Sequence, residues 1–89
     1  MDTIAAPFVP CPFCTWAQNR VRQVFHEHGP LTDFELGYAY RLTHGDLDLS
    51  WSGLRTRRSE LCTWAHLRRV GVKRNDSGRK VGIYALVSR

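Results

Sequence analysis

Leu49-Ser50-Trp51-Ser52-Gly53-Leu54-Arg55-Thr56-Arg57-Arg58-Ser59-Glu60-Leu61 is the stretch on which the architecture turns. Leu54, Leu61 and Ala65 recur at helical spacing on one side, with Ser52, Thr56, Ser59 and Thr63 opposite. That pattern predicts a helix over about residues 51–64. Arg55 and Arg57 flank its polar side. Arg58 falls on the apolar side, one turn after Leu54, so its stem is expected to pack and its head to reach solvent. Asp48, Ser50 and Ser52 are each able to cap this helix, and spacing alone does not choose among them.

Downstream, the hydrophobic period changes from helical to alternating. Leu67, Val70 and Val72 belong to one strand, and Val81-Gly82-Ile83-Tyr84-Ala85-Leu86-Val87 forms a second. Asn75-Asp76-Ser77-Gly78 supplies turn chemistry between them. Upstream, Thr32 and Glu35 have the spacing of a capping box, and Asp33 and Glu35 suit the positive end of a helix. That helix runs through Leu36, Ala39, Tyr40 and Thr43 to near His44-Gly45, with Gly37 inside it. Thr15 and Gln18 repeat the capping-box spacing, opening a first helix over about residues 15–28 whose apolar stripe is Ala17, Val21, Val24, Phe25 and His28. Gly29-Pro30 stops it. Pro7, Pro10 and Pro12 mark an extended arm. The expected fold class is therefore α+β: three helices followed by a two-stranded β-hairpin, with residues 1–14 as an arm and 15–89 as the folded domain.

A chain of 89 residues holds one domain. Its 43% hydrophobic and 24% charged content is that of a globular protein. No apolar run approaches the roughly 18 residues of a membrane span. Met1-Asp2-Thr3-Ile4 places an acid where an export signal carries Lys or Arg, so a cytoplasmic location is expected. Charge is unevenly placed. Residues 1–49 carry three arginines against six acids, whereas residues 50–89 carry eight arginines and two lysines against Glu60 and Asp76. A basic C-terminal half rich in Arg suits phosphate and guanine edges.

These elements together resemble a winged helix-turn-helix DNA-binding protein, of the small MarR-like type found in actinobacteria and their phages. Leu31-Thr32-Asp33-Phe34-Glu35-Leu36 looks like the opening of that family's second helix, and Leu49–Leu61 like its recognition helix. Asp76-Ser77-Gly78-Arg79-Lys80-Val81-Gly82-Ile83-Tyr84-Ala85-Leu86 looks like a wing and its returning strand. The likeness covers about residues 15–87. The connection over residues 43–50 is longer than a minimal turn, and Arg58 stands where such helices often carry an aliphatic residue. No long helix follows the wing, so the dimerisation arm of the larger MarR-like regulators is missing.

The resemblance implies double-stranded DNA as partner and a role as a small transcriptional regulator, phage-encoded if the likeness to phage proteins holds. Ser50, Ser52, Arg55 and Thr56 are the candidates for reading bases. Arg57 and Arg58 are expected at phosphates, with Lys73, Arg74, Asn75, Arg79 and Lys80 at a flanking backbone or minor groove. Neutralising about six phosphates would give a log–log salt slope near −5. Trp51 has two readings, a wedge against nucleic acid or a lock of the third helix onto the second, and the lock is favoured. Two other functions stay open: a protein-docking module using the same basic face, and a non-specific architectural binder. A homodimer would have only the arm to spare for its interface.

Cys11-Pro12-Phe13-Cys14 and Cys62-Thr63-Trp64-Ala65-His66 supply a second constellation. On a helix, Cys62 and His66 share one face, so Cys11, Cys14, Cys62 and His66 are a candidate tetrahedral set for one structural zinc. His26, His28 and His44 are rival ligands. The alternatives are a redox pair at Cys11 and Cys14, and plain packing of Cys62. Cys14-Thr15-Trp16-Ala17 recurs as Cys62-Thr63-Trp64-Ala65, but the flanks diverge and the recurrence is read as chance. Catalytic signatures are missing: His26 and His28 flank Glu27 without converging, and Asp46 and Asp48 have no partner base. No enzymatic activity and no small-molecule substrate are expected.

Overall fold

The chain follows the expected order of elements in a computed structural model that describes residues 7–45 and 49–87. Three helices, α1 (Trp16–His28), α2 (Asp33–His44) and α3 (Trp51–Thr63), precede an antiparallel hairpin of β1 (Leu67–Arg74) and β2 (Lys80–Leu86). This is a winged-helix-like α+β arrangement. The start of the chain read for an export signal, the cap candidate Asp48 and the acid Asp46 lie outside the described residues. None of the described helices is long and apolar enough to cross a membrane.

Both capping boxes form as spaced. Thr15 Oγ1 accepts from the Gln18 amide at 3.1 Å while Gln18 Oε1 accepts from the Thr15 amide at 2.9 Å, so α1 starts one residue after Thr15. Thr32 and Glu35 make the same reciprocal pair at 3.2 and 2.9 Å. Each box satisfies two amides that a bare helix end leaves orphaned. Ser50 is the cap of α3, accepting from the Gly53 amide at 3.0 Å. Gly29 and Gly45 close α1 and α2, donating to Phe25 O and Arg41 O.

The end of α3 has no glycine to announce it. The amide of Ala65 donates to Cys62 O at 3.1 Å, and that of His66 donates to Leu61 O at 2.8 Å. This bond pair is a Schellman motif, and it places Ala65 in the left-handed region at φ 61°. Ala is strained there by its Cβ. Ala65→Gly is accordingly expected to raise unfolding free energy by about 0.5–1 kcal/mol. Urea unfolding checks this, and an unchanged midpoint would remove strain as the cause.

The core lies where the three helices meet the hairpin base. Val21, Val24 and Phe25 from α1, Leu36, Ala39 and Tyr40 from α2, Leu54 and Leu61 from α3, Leu67 from β1 and Leu31 before α2 are its buried apolar side chains. Full burial of each large aliphatic contributes about 1.5–3 kcal/mol. His28 completes the expected α1 stripe in spacing only, for it is exposed and bonded to Thr43 Oγ1 at 2.8 Å. Val70, expected within a plain alternating strand, sits at a bulge: the register steps between Arg69 and Gly71. Leu67 at the hairpin base is buried, while Val70 and Val72 farther along β1 stay exposed.

One element was not foreseen. Leu31 makes an isolated antiparallel bridge to Tyr84, with amide–carbonyl bonds of 2.9 and 2.8 Å. The hairpin base is thereby fastened to the residue that precedes α2.

Candidate functional site

The N-terminal half of α3 and the hairpin enclose a cleft of about 760 Å³, open at one side, to which the first turn of α2 adds Asp33, Phe34 and Glu35. Ser52, Arg55 and Thr56 stand on the exposed face of α3, and Arg55 has 72% of its side chain in solvent. Thr56 Oγ1 donates to Ser52 O at 2.8 Å, which commits the hydroxyl of this exposed residue. Ser50 contributes its hydroxyl to the helix cap and to a 3.3 Å contact with Ser52 Oγ. Ser59 falls on the same exposed face and was not singled out as a site residue. The spacing of Ser52, Arg55 and Thr56 already pointed to it.

The expected phosphate contacts divide. Arg74 and Arg79 line the cleft, and Lys80 is exposed on the same hairpin. The tip is stiffened from within: Asn75 Oδ1 accepts from the Ser77 and Arg79 amides at 3.1 and 2.9 Å and from Ser77 Oγ at 2.8 Å. Gly78 takes φ 81° there, and its carbonyl accepts from Arg74 Nη1 at 2.9 Å. Lys73 is engaged, with its Nζ 2.8 Å from Glu35 Oε2. The Lys73 ammonium, and then the Thr32 amide, hold the Glu35 carboxyl below the usual carboxylate range.

Arg57 and Arg58 both have carboxylate partners within the domain. Arg57 turns toward Glu60 at 2.6 Å, and Glu60 also accepts from Gln18 Nε2 at 3.1 Å, so this arginine ties α3 toward α1 instead of facing the cleft. Arg58 does not send its head to solvent. Its Nε and Nη2 each donate to Asp33 at 2.7 Å, the guanidinium lies 4.2 Å from the Tyr84 ring centroid, and only 13% of the side chain is exposed. The carboxylate of Asp33 outcompetes water because it offers both oxygens to the planar fork. Arg55 comes within 3.9 Å of the same carboxylate, so Asp33 orders the root of the exposed face.

Trp51 locks α3 onto α2. Its ring stacks on Phe34 at 5.9 Å and 17°, meets Tyr38 edge-on, and lies directly over Gly37. It remains 46% exposed, so the three rings form an aromatic border beside the cleft.

On the other side of the domain, the arm brings Cys11 and Cys14 beside His66. Nε2 of His66 is 3.5 Å from Cys14 Sγ and 4.0 Å from Cys11 Sγ, and the three ligand atoms lie within 4.8 Å of one another. The arm is held along α1: Asn19 Oδ1 accepts from the Cys11 amide and Asn19 Nδ2 donates to Cys11 O, both at 2.9 Å. Arg22 lies over the Phe8 ring, and Phe8 in turn packs against His26. The Phe13 backbone holds the Cys11 thiol below its ordinary value, while burial pushes the Cys14 thiol up. Cys62 does not join this group. It packs against the core, because α3 ends before His66 and the left-handed turn at Ala65 removes the shared helical face that would have paired them. The rival histidines are elsewhere: His26 meets Phe8, His28 meets Thr43, and His44 Nε2 lies 2.9 Å from Arg20 O. Cys11, Cys14 and His66 are thus a group able to bind a metal ion.

No family model, curated protein or solved structure matches the chain. The functional reading rests on the residues themselves.

Proposed function

We propose that the protein binds double-stranded DNA selectively, as a small transcriptional regulator working in the bacterial cytoplasm, phage-encoded or native to the cell. In this reading α3 enters the major groove and the hairpin lies on the flanking backbone. The observation that carries it is that Arg55 of α3 lines one cleft with Arg74 and Arg79 of the hairpin, while Ser52 and Thr56 are exposed on the same helix. A helix about 10–12 Å across fits a major groove about 12 Å wide. Arg55 is the group for a bidentate contact with guanine, and the Thr56 methyl suits thymine.

Phosphate contacts fall to Arg74, Arg79 and Lys80, since Arg57, Arg58 and Lys73 already have carboxylate partners. Three phosphates give a log–log salt slope of about −3, shallower than the six-contact expectation. The test is titration of a mixed-sequence duplex at two salt concentrations, followed by selection of a preferred site. Arg55→Ala should weaken binding to that site by roughly tenfold or more and leave the slope nearly unchanged. Absence of binding even at low salt would overturn the proposal. It would leave protein docking, for which the exposed Phe34, Tyr38 and Trp51 rings are the supporting observation. Equal affinity for unrelated duplexes would instead mean an architectural binder.

We also propose that the thiol–imidazole trio holds a zinc ion, away from the cleft. Two thiolates and one imidazole are donors that zinc prefers.

A further inference from the structure

We propose that the zinc held by Cys11, Cys14 and His66 has an exchangeable fourth position, filled by water and open to small anionic donors. The proposal rests on the zinc reading above and adds what completes the coordination. Bond lengths of about 2.3 Å to sulfur and about 2.05 Å to nitrogen at a tetrahedral angle put a ligating S and N about 3.6 Å apart. The observed 3.5 and 4.0 Å bracket that value, so the trio can close on a metal by small side-chain adjustments.

Three independent features hold the trio in place. Asn19 clamps the backbone of Cys11 through a reciprocal bond pair. The Cys14 amide donates to Cys11 O at 3.2 Å, closing the turn that presents both sulfurs to one side. The Schellman turn at Ala65 carries His66 past the end of α3, and the Val87 backbone N–H donates a hydrogen bond to the His66 carbonyl at 3.0 Å. A chain that spends backbone strain on Ala65 to deliver His66 there has a positioned ligand. The fourth corner is different. Among the described residues, no further Cys, His, Asp or Glu, Cys62 included, has a ligand atom within 4.8 Å of all three. All three ligands are partly exposed, so solvent reaches the ion. Structural zinc sites close with four protein ligands, whereas three-ligand sites retain water and exchange it.

Cobalt(II) substitution in the full-length protein tests this with an optical readout. Thiolate-to-cobalt charge transfer and tetrahedral d–d bands should appear at one equivalent of metal, and Cys14→Ala should abolish much of the charge transfer. Adding azide should shift the d–d bands in a saturable way, while Cys62→Ala leaves the spectrum and the azide response as they were. Failure to bind cobalt or zinc would sink the zinc reading itself. Metal binding with bands indifferent to azide would keep zinc and overturn the open position. In that event, a spectrum altered by Cys62→Ala would assign the fourth donor to Cys62, and an unaltered one would assign it to another part of the chain.

Discussion

Asp33→Ala should cost the domain about 3 kcal/mol of stability, the largest loss expected from any single change at its polar residues. Asp33 receives both donors of the Arg58 fork at 2.7 Å, and that fork is nearly enclosed between α2, α3 and the Tyr84 ring. The guanidinium left behind cannot escape the loss by becoming neutral, because arginine stays protonated at any ordinary pH. Glu35 offers no replacement because Lys73 occupies it. Arg58→Met should cost much less. It removes the buried charge with the fork, fills similar volume, and leaves the more exposed Asp33 carboxylate beside Arg55. In a domain of this size a loss of that order is a substantial share of the total, since small proteins hold about 0.05–0.15 kcal/mol per residue. Urea unfolding of both variants decides the matter. Equal losses would mean that the pair contributes by packing alone.

Gly37→Ala is the second large effect, and its sign runs against helix propensity. Ala in a helix interior gains about 1 kcal/mol over Gly. At this position, however, an added Cβ would overlap atoms of the six-membered ring of Trp51. The indole must swing away, giving up its stack on Phe34, its edge contact with Tyr38 and the cover it lays over α2. Aromatic contacts of this kind contribute about 0.5–1.5 kcal/mol each beyond burial. A net destabilisation of about 2 kcal/mol follows, accompanied by a red shift of Trp51 fluorescence as the ring enters water. The paired substitution Gly37→Ala with Trp51→Ala should show strong coupling and recover part of the propensity gain. Additive losses in that cycle would place the cost elsewhere.

How far the sequence led follows from where its signals were local. The capping boxes at Thr15 and Thr32, the glycine stops and the Asn75–Gly78 turn each act within a few residues, and each forms as spaced. Arg58 shows the first limit. Helical spacing correctly put it on the apolar side, but its partner Asp33 lies in another helix, and no spacing rule within α3 could find it. Cys62 shows the second. Its pairing with His66 assumed that α3 continued, and an alanine in a position that glycine usually takes gave no sign of the turn. The recurring Cys-Thr-Trp-Ala tetrapeptide makes the same point from both ends: its first copy opens α1 and its second closes α3. The Leu31–Tyr84 bridge was hidden for a related reason, since one residue has no periodicity.

That bridge divides the hairpin into two regimes of motion. Near the tip, the amides of Asn75, Ser77 and Arg79 are satisfied within the turn, so local opening is enough to expose them to solvent. At the base, the Tyr84 amide is held by Leu31, beside the buried core, and is released only when the helices part from the sheet. Hydrogen–deuterium exchange should therefore run fast at the tip and slow at the base: a hairpin that flexes at its far end from an immobile root.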